Sequence, residues 1–297
     1  MTTVFTLFEK LYHHGVAALL NSLAEQGFEG RFIGYYRGSL PEWAFEVNQF
    51  PKKIEVIFKP LDSESHFAYL KPKIAKALIS EFPDTDSFFY FDPDIVIIGP
   101  WEFFERWSRC GFALVEEIVN CPMVDNHPIR IEWCDWLKKH QINCSCSRNH
   151  YYNSGFFGYG RNHEAFFDLW SKIINLSSSD SSRNGVVDRR RHNLFSTWDQ
   201  DALNVALMAC EIDVAQIGPE GMGFIEGGYT MLHATGSRKP WTVSFFKEAI
   251  RGYPPKRVER EFIKYSLGPI QSFQRFTLTR KIYSLRIAQM IGRFYRA

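Results

Sequence analysis

The chain has 297 residues, enough for one large α/β domain or two small ones. With 45% hydrophobic and 23% charged residues it has the make-up of an ordinary soluble enzyme and not of a disordered chain. A net charge of +2 gives no argument for nucleic acid, and no run approaches the roughly 18 apolar residues of a membrane span.

The first apolar run, "TTVFTLF" (2–8), reads as a strand; Glu9 and Lys10 cut it short, so it is not a signal peptide. Val16, Leu19, Leu20 and Leu23 follow at helical spacing, with Gly27 as a stop. Residues 31–37 and 53–58 read as strands, and "KPKIAKALISEF" as a helix with Pro72 in its first turn. "SFFYFDPDIVI" (87–97) is a strongly apolar strand, followed by a helix from Trp101, a strand at 112–118 and a helix in "IRIEWCDWLKKH". Further elements are a short strand in "SGFFGYG", helices in "HEAFFDLWSKII" and "DQDALNVALMAC", and a strand at 229–234. Residues 177–192, rich in Ser and charge and including Arg189, Arg190 and Arg191, read as a loop that either is solvated or closes over a ligand. The βαβ alternation predicts a parallel or mixed sheet with helices on both faces.

Six cysteines show no disulfide framework. Cys134, Cys144 and Cys146 fall near His140 and His150, but without the two-residue Cys pairs of common zinc sites, so reduced thiols are expected. From Lys264 to Ala297 there are seven Lys/Arg and no Asp or Glu. Read as a helix, 277–297 puts Tyr283, Ile287, Met290, Ile291 and Phe294 along one face and Arg286, Gln289, Arg293 and Arg296 on another. That is the pattern of a helix lying on an anionic membrane surface; the alternative is a helix packed on the catalytic domain with its arginines in water.

Asp92 and Asp94 raise the functional question. Carboxylates beside an apolar strand are costly to desolvate unless a cation offsets them. In α/β sheets, ligands bind outside the carboxyl ends of strands, where this pair falls. With Pro93 stiffening the turn, the pair either makes a solvated turn or aims oxygens at one hard divalent ion. "DPDIV" also fits the D-x-D-x-[TV] pattern of haloacid-dehalogenase-like phosphatases, but the G-D-x-x-x-D motif they need is missing.

The nucleotide-sugar glycosyltransferases with a GT-A fold also carry D-x-D, and here the match extends along the chain. "YYNSGFFGYG" (151–160), "DQDALN" (199–204), "HATGSRKPW" (233–241) and "TLFEKLYHHGVAALLNSL" (6–23) resemble, in order, motifs of glycosyltransferase family 8. That retaining group includes glycogenin and bacterial lipooligosaccharide galactosyltransferases. The resemblance covers about residues 2 to 245 and implies a Rossmann-like GT-A catalytic domain (1–245) followed by a basic C-terminal helical extension (246–297).

The resemblance also implies roles. Asp92, Asp94 and His233 would hold Mn²⁺ or Mg²⁺, with Asp92 also on the ribose. Tyr12 would meet the uracil, and Gly236 and Lys239 the diphosphate. Lys71 would lie near the phosphates and sugar, and its alternative is a solvated helix start. Asn153 and Asp199 would hydrogen-bond the donor sugar, with Gln200 beneath the anomeric carbon. Front-face substitution is favoured, and double displacement through Gln200 or Asp199 stays open. The implied reaction moves a hexose from a UDP-sugar to a glycan or glycolipid acceptor of a bacterial surface. The implied location is the cytoplasm, peripheral on the inner face of the cell membrane. An inactive nucleotide-sugar-binding or glycan-binding protein of the same fold is the rival reading. Phe8, Glu9 and Lys10 depart from a family loop that is usually small and polar, and no self-glucosylation segment follows.

Overall fold

The structure is a computed structural model that describes residues 1–119, 123–145, 147–183 and 194–295. Cys146, Arg189, Arg190, Arg191 and Arg296, all named above, lie outside them. In chain order the elements are β1 (Thr2–Glu9), α1 (His13–Glu25), β2 (Gly30–Arg37), β3 (Ile54–Pro60), α2 (Phe67–Glu81), β4 (Ser87–Phe91), β5 (Ile95–Ile97), α3 (Trp101–Arg109) and β6 (Phe112–Val115). There follow α4 (Pro128–Lys139), β7 (Phe156–Gly160), α5 (Glu164–Arg183), α6 (Trp198–Met208), β8 (Val214–Ile217), β9 (Met231–His233), α7 (Phe245–Ile250), α8 (Arg257–Tyr265) and α9 (Arg275–Arg293). Seven strands form a mixed sheet in the order β3-β2-β1-β4-β7-β6-β8, flanked by helices, and β5 pairs separately with β9.

By internal contacts the chain divides into two units. The first comprises Met1, Ser63–Tyr90 and Glu105–Pro219. Here β6 runs antiparallel to β7 and parallel to β8, and α5 packs between α2 and α6. The aromatic content goes into this core: Phe88 stacks on Tyr159 and Tyr90 on Phe157, with Trp170 edge-on to Phe157.

The second unit comprises Thr2–Asp62, Phe91–Phe104 and Glu220–Ala297. Its β1, β2 and β3 are parallel, and β1 is buried from Thr3 through Phe8. Burial of both faces explains its unbroken apolar run. Residues of α7, α8 and α9 share a core with Ala18, Val96, Leu232 and Trp241, so part of 246–297 is core and not an appendage within this unit.

Four expectations change. The apolar stretch 87–97 is two strands, β4 and β5, because Asp92-Pro93-Asp94 makes a turn closed by Ile95 N–H donating to the Asp92 carbonyl. Helix α2 begins at Phe67, where the His66 ring accepts from Ala68 N–H, so Pro72 is inside the helix and Lys71 is buried in place of marking a solvated start. Residues 177–183, expected in a loop, continue α5. Cys134 and Cys144, expected as reduced thiols, form a disulfide: α4 ends, Gln141 takes a positive φ of 57°, and the returning chain brings the two Cα atoms to 5.6 Å. Strand β8 and helices α7 and α8 have no counterpart in the sequence reading; four half-exposed residues give β8 too little alternation to register.

Candidate active site

In the second unit, three elements build one cluster. The Asp92-Pro93-Asp94 turn follows β4 directly and is clamped by α1: a Cβ at Gly15 would fall 1.9 Å from the Pro93 carbonyl oxygen, so no side chain fits there. Strand β9 pairs antiparallel with β5, opposing His233 to Ile95, and Ala234 N–H donates to the Asp94 carbonyl. The pairing brings His233 Nε2 to 3.3 Å from Asp94 Oδ1 and 3.8 Å from Asp92 Oδ2. Lys239 then reaches back, its ammonium bonding Asp94 Oδ2 and the Ala234 carbonyl. Tyr12 lies against this group, edge-on to Trp241 at 5.1 Å and with its ring 5.8 Å from Lys239 Nζ. Gly236 takes φ 81°, and a Cβ there would meet nothing within 4 Å, leaving its backbone open to a close approach.

Burial alone would raise the Asp94 carboxyl, but His233 and Lys239 outweigh it and hold it down at about 2. Burial pushes the His233 imidazole down, and Asp94 and then Asp92 more than offset that, so it is raised. The carboxylates thus attract the cation within reach, the Lys239 ammonium, with the His233 imidazole beside it.

Asp92, Asp94 and His233 each offer one ligand atom, and these lie within 4.8 Å of one another. His233 Nδ1 is buried with no hydrogen-bond partner among the described residues. Two carboxylate oxygens and an imidazole nitrogen are a donor set for a divalent ion of intermediate hardness, and the residues fit one. Cys134 and Cys144, weighed above as zinc ligands and set aside, are paired with each other.

In the first unit, four other expected residues gather around α6. Lys71 Nζ donates to Asp199 Oδ2 at 2.9 Å and to the Ser154 carbonyl at 3.1 Å, while Ser154 Oγ donates to the same Asp199 oxygen. Burial raises Asp199, but Lys71 and Ser154 carry it net below the usual carboxylate range. Asn153 Nδ2 donates to Gln200 Oε1 at 3.0 Å, and Gln200 Nε2 donates to the Tyr151 hydroxyl at 3.1 Å. Tyr151 in turn donates to Asp201 Oδ1 at 2.6 Å. Asn204, which closes the D-Q-x-x-x-N motif, exchanges two 2.8 Å hydrogen bonds with the Tyr152 backbone and so locks α6 to the segment carrying Asn153.

Three polar residues here escaped the sequence reading: Glu117, Tyr151 and Asp201. Glu117 is buried and accepts from Asn153 Nδ2 at 2.5 Å. The strand reading of 112–118 covers Glu117 but gives it no role, because an acid at a strand end carries no signal of its own.

No family model and no curated protein matches the chain. Solved structures do. The apo structure of the bifunctional glycosyltransferase WbbM matches 95% of this chain and 52% of its own at a TM-score of 0.58 and 14% identity. The glycosyltransferase GlyE of Streptococcus pneumoniae TIGR4 matches 96% of this chain and 64% of its own at 0.56 and 12%. The chain has the GT-A glycosyltransferase fold. It spans less than two thirds of either neighbour's length. That fold removes the basis for the phosphatase reading of Asp92.

Proposed function

We propose that the chain is a metal-dependent retaining glycosyltransferase moving a hexose from a UDP-sugar to a glycan acceptor. The supporting observation is the Asp92–Asp94–His233 cluster on a glycosyltransferase fold. A divalent ion there, Mn²⁺ by its mixed oxygen and nitrogen shell or Mg²⁺, would neutralise charge growing on the departing diphosphate. Asp92 also takes the ribose and Tyr12 the uracil. Gly236 admits the diphosphate, and Lys239 is its point charge, exchanging Asp94 for phosphate.

Gln200 and Asp199 take the catalytic roles, with Asn153 and Lys71 beside them. Gln200 Oε1 already accepts from Asn153 Nδ2 and Ser154 N–H, and Asp199 is held by Lys71. An oxygen so engaged is a poor nucleophile, which favours front-face substitution with the departing phosphate as base. The intact ligand set weighs against an inactive sugar-binding protein. Calorimetry of UDP with Mn²⁺ and with EDTA tests the metal: equal affinities would sink it. NMR of the product's anomeric coupling tests retention, an α-linked donor giving an α-linked product.

The proposed acceptor is a bacterial surface polysaccharide or lipopolysaccharide, with 1–245 as catalytic domain and 246–297 as basic extension at the cytoplasmic face of the membrane. No helix among the described residues is long and apolar enough to cross a membrane. Helix α9 packs Leu278, Leu285 and Ala288 into the core and leaves Phe276, Tyr283, Ile287, Met290 and Phe294 exposed among Arg280, Arg286 and Arg293. Ile291, expected on the apolar outer face, is instead partly buried. Helix α7 lies along α9 and exposes Phe246 and Ile250. Each basic residue near an anionic surface adds about 1 kcal/mol. Charge reversal of Arg280, Arg286 and Arg293 together should therefore abolish flotation with anionic vesicles while leaving the fold intact. Vesicle binding that survives the reversal, or is absent at low salt, rules the surface out.

A further inference from the structure

The hydrogen bonds around Gln200 have directions forced by backbone groups. Gly155 N–H, a donor, meets Asn153 at 2.8 Å, so the Asn153 atom there is Oδ1 and its Nδ2 is the end facing Glu117 and Gln200. Ser154 N–H meets Gln200 at 3.2 Å, so that atom is Oε1, and Nε2 faces Tyr151. The chain of donors therefore runs outward from Asn153 to Glu117 on one side. On the other it passes from Asn153 to Gln200, Tyr151 and Asp201. A carboxylate closes each end.

The Glu117 carboxylate faces donors on both oxygens. Oε2 takes the Asn153 amide and Oε1 takes Ile118 N–H at 2.9 Å. Its own N–H donates to the Tyr151 carbonyl at 2.8 Å, which fixes its backbone to the segment that carries Asn153. Only an acceptor on both sides satisfies this setting. An amide in its place would turn a donor toward either Ile118 N–H or Asn153 Nδ2, and an unmatched buried donor is costly. Where that donor faces Asn153, the Asn153 amide must shift, which loosens its bond to Gln200.

We propose that Glu117 is a positioning residue that, through Asn153 and together with Ser154 N–H, holds the Gln200 amide in place; the consequence for turnover rests on the glycosyltransferase reading above. Glu117 touches neither donor nor acceptor in this role. It holds the Gln200 carbonyl dipole in one orientation, and misplacement of a group at a reacting centre is expressed in turnover and not in ground-state binding.

Two measurements on the full chain test this. In UDP release from UDP-glucose and UDP-galactose with Mn²⁺, Glu117→Gln should lower kcat by about 100-fold with donor KM within about threefold, and Glu117→Asp should recover about tenfold of the loss. A Glu117→Gln kcat close to wild type, or a loss carried by KM, overturns the proposal. In NMR of chains labelled with ¹⁵N at Asn and Gln, the Asn153 and Gln200 side-chain amides should exchange slowly in wild type and Glu117→Asp, and fast in Glu117→Gln. Protected amides in Glu117→Gln overturn it whether or not the chain turns sugar over. Absence of UDP release by wild type, with the amides behaving as stated, would instead count against the enzyme reading and leave the positioning contact standing.

Discussion

The two polar clusters, each in its own unit, are built on opposite principles. Around Asp92 and Asp94, charge is in excess of hydrogen bonding: two carboxylates, an ammonium and an imidazole meet, with His233 Nδ1 unpartnered among the described residues. Around Gln200, hydrogen bonding absorbs nearly everything, and the one charged pair, Lys71–Asp199, is fixed by Ser154 on both members. Under the proposed function, a divalent ion would take the place of the ammonium in the first cluster, one cation replacing another. The second is a scaffold whose worth lies in not moving. Substitutions should therefore cost function with little loss of stability in the first, and stability as well as turnover in the second.

The largest effect expected is at Asp94. Asp94→Asn keeps the shape of the turn and removes the charge the ion needs, so turnover should fall by about 1,000-fold and the Mn²⁺ dependence of UDP binding should vanish. Its melting temperature should move little. A large stability loss with metal response intact would erase the contrast between the clusters.

Lys71→Met is the converse. It leaves Asp199 as an unpaired carboxylate in a buried site, which costs about 3 kcal/mol or more and is read as a fall in the denaturation midpoint. The pH dependence follows from the lowered Asp199 pKa. The pair's contribution is fully present above the unfolded carboxylate pKa of about 4 and is lost as pH falls through the lower folded value. The stability gap between wild type and Asp199→Asn should accordingly close on acidification below pH ~4. A gap constant with pH would mean that the pair contributes no net stabilisation.

Gly15→Ala sharpens the comparison with a backbone change. Its methyl would strike the Pro93 carbonyl, so α1 or the Asp92–Asp94 turn must shift, at about 1–3 kcal/mol. Weaker Mn²⁺ binding should accompany the loss, measured by calorimetry. Unchanged metal affinity would show that the turn is held by β5 and β9 alone.

The last test concerns neither cluster and serves as a control. Burial, then His13 and Lys281, depress His14 to about 3, where it stacks on Phe273 with centroids 4.1 Å apart. The unfolded chain takes up this proton near pH ~6.5 and the folded chain does not, so stability should decline from there toward pH 3. His14→Gln should flatten that part of the curve, and an unchanged slope would place the acid sensitivity elsewhere.

Much of this was legible in order and chemistry. Alternating runs predicted the α/β class, because strands buried on both faces must be apolar throughout and helices must present one face every 3.6 residues. The acid pair after an apolar strand marked a site, since such charges are too costly there without a partner. Motif spacing pointed to His233 and Lys239 but not to their geometry: the β5–β9 pairing that opposes His233 to Ile95, and the Gly15 contact that holds the turn, are long-range events. Glu117 was illegible for a related reason. An acid at a strand end is usually solvated, and only the fold, by bringing Asn153 and Ile118 N–H onto its two oxygens, makes it a buried acceptor. In α9 the sequence determined that apolar and basic residues share one helix, while packing decided that Leu285 and Ala288 face the core and Tyr283 and Phe294 face outward. Periodicity specifies which residues share a face; which face meets the core depends on what the rest of the chain places beside it.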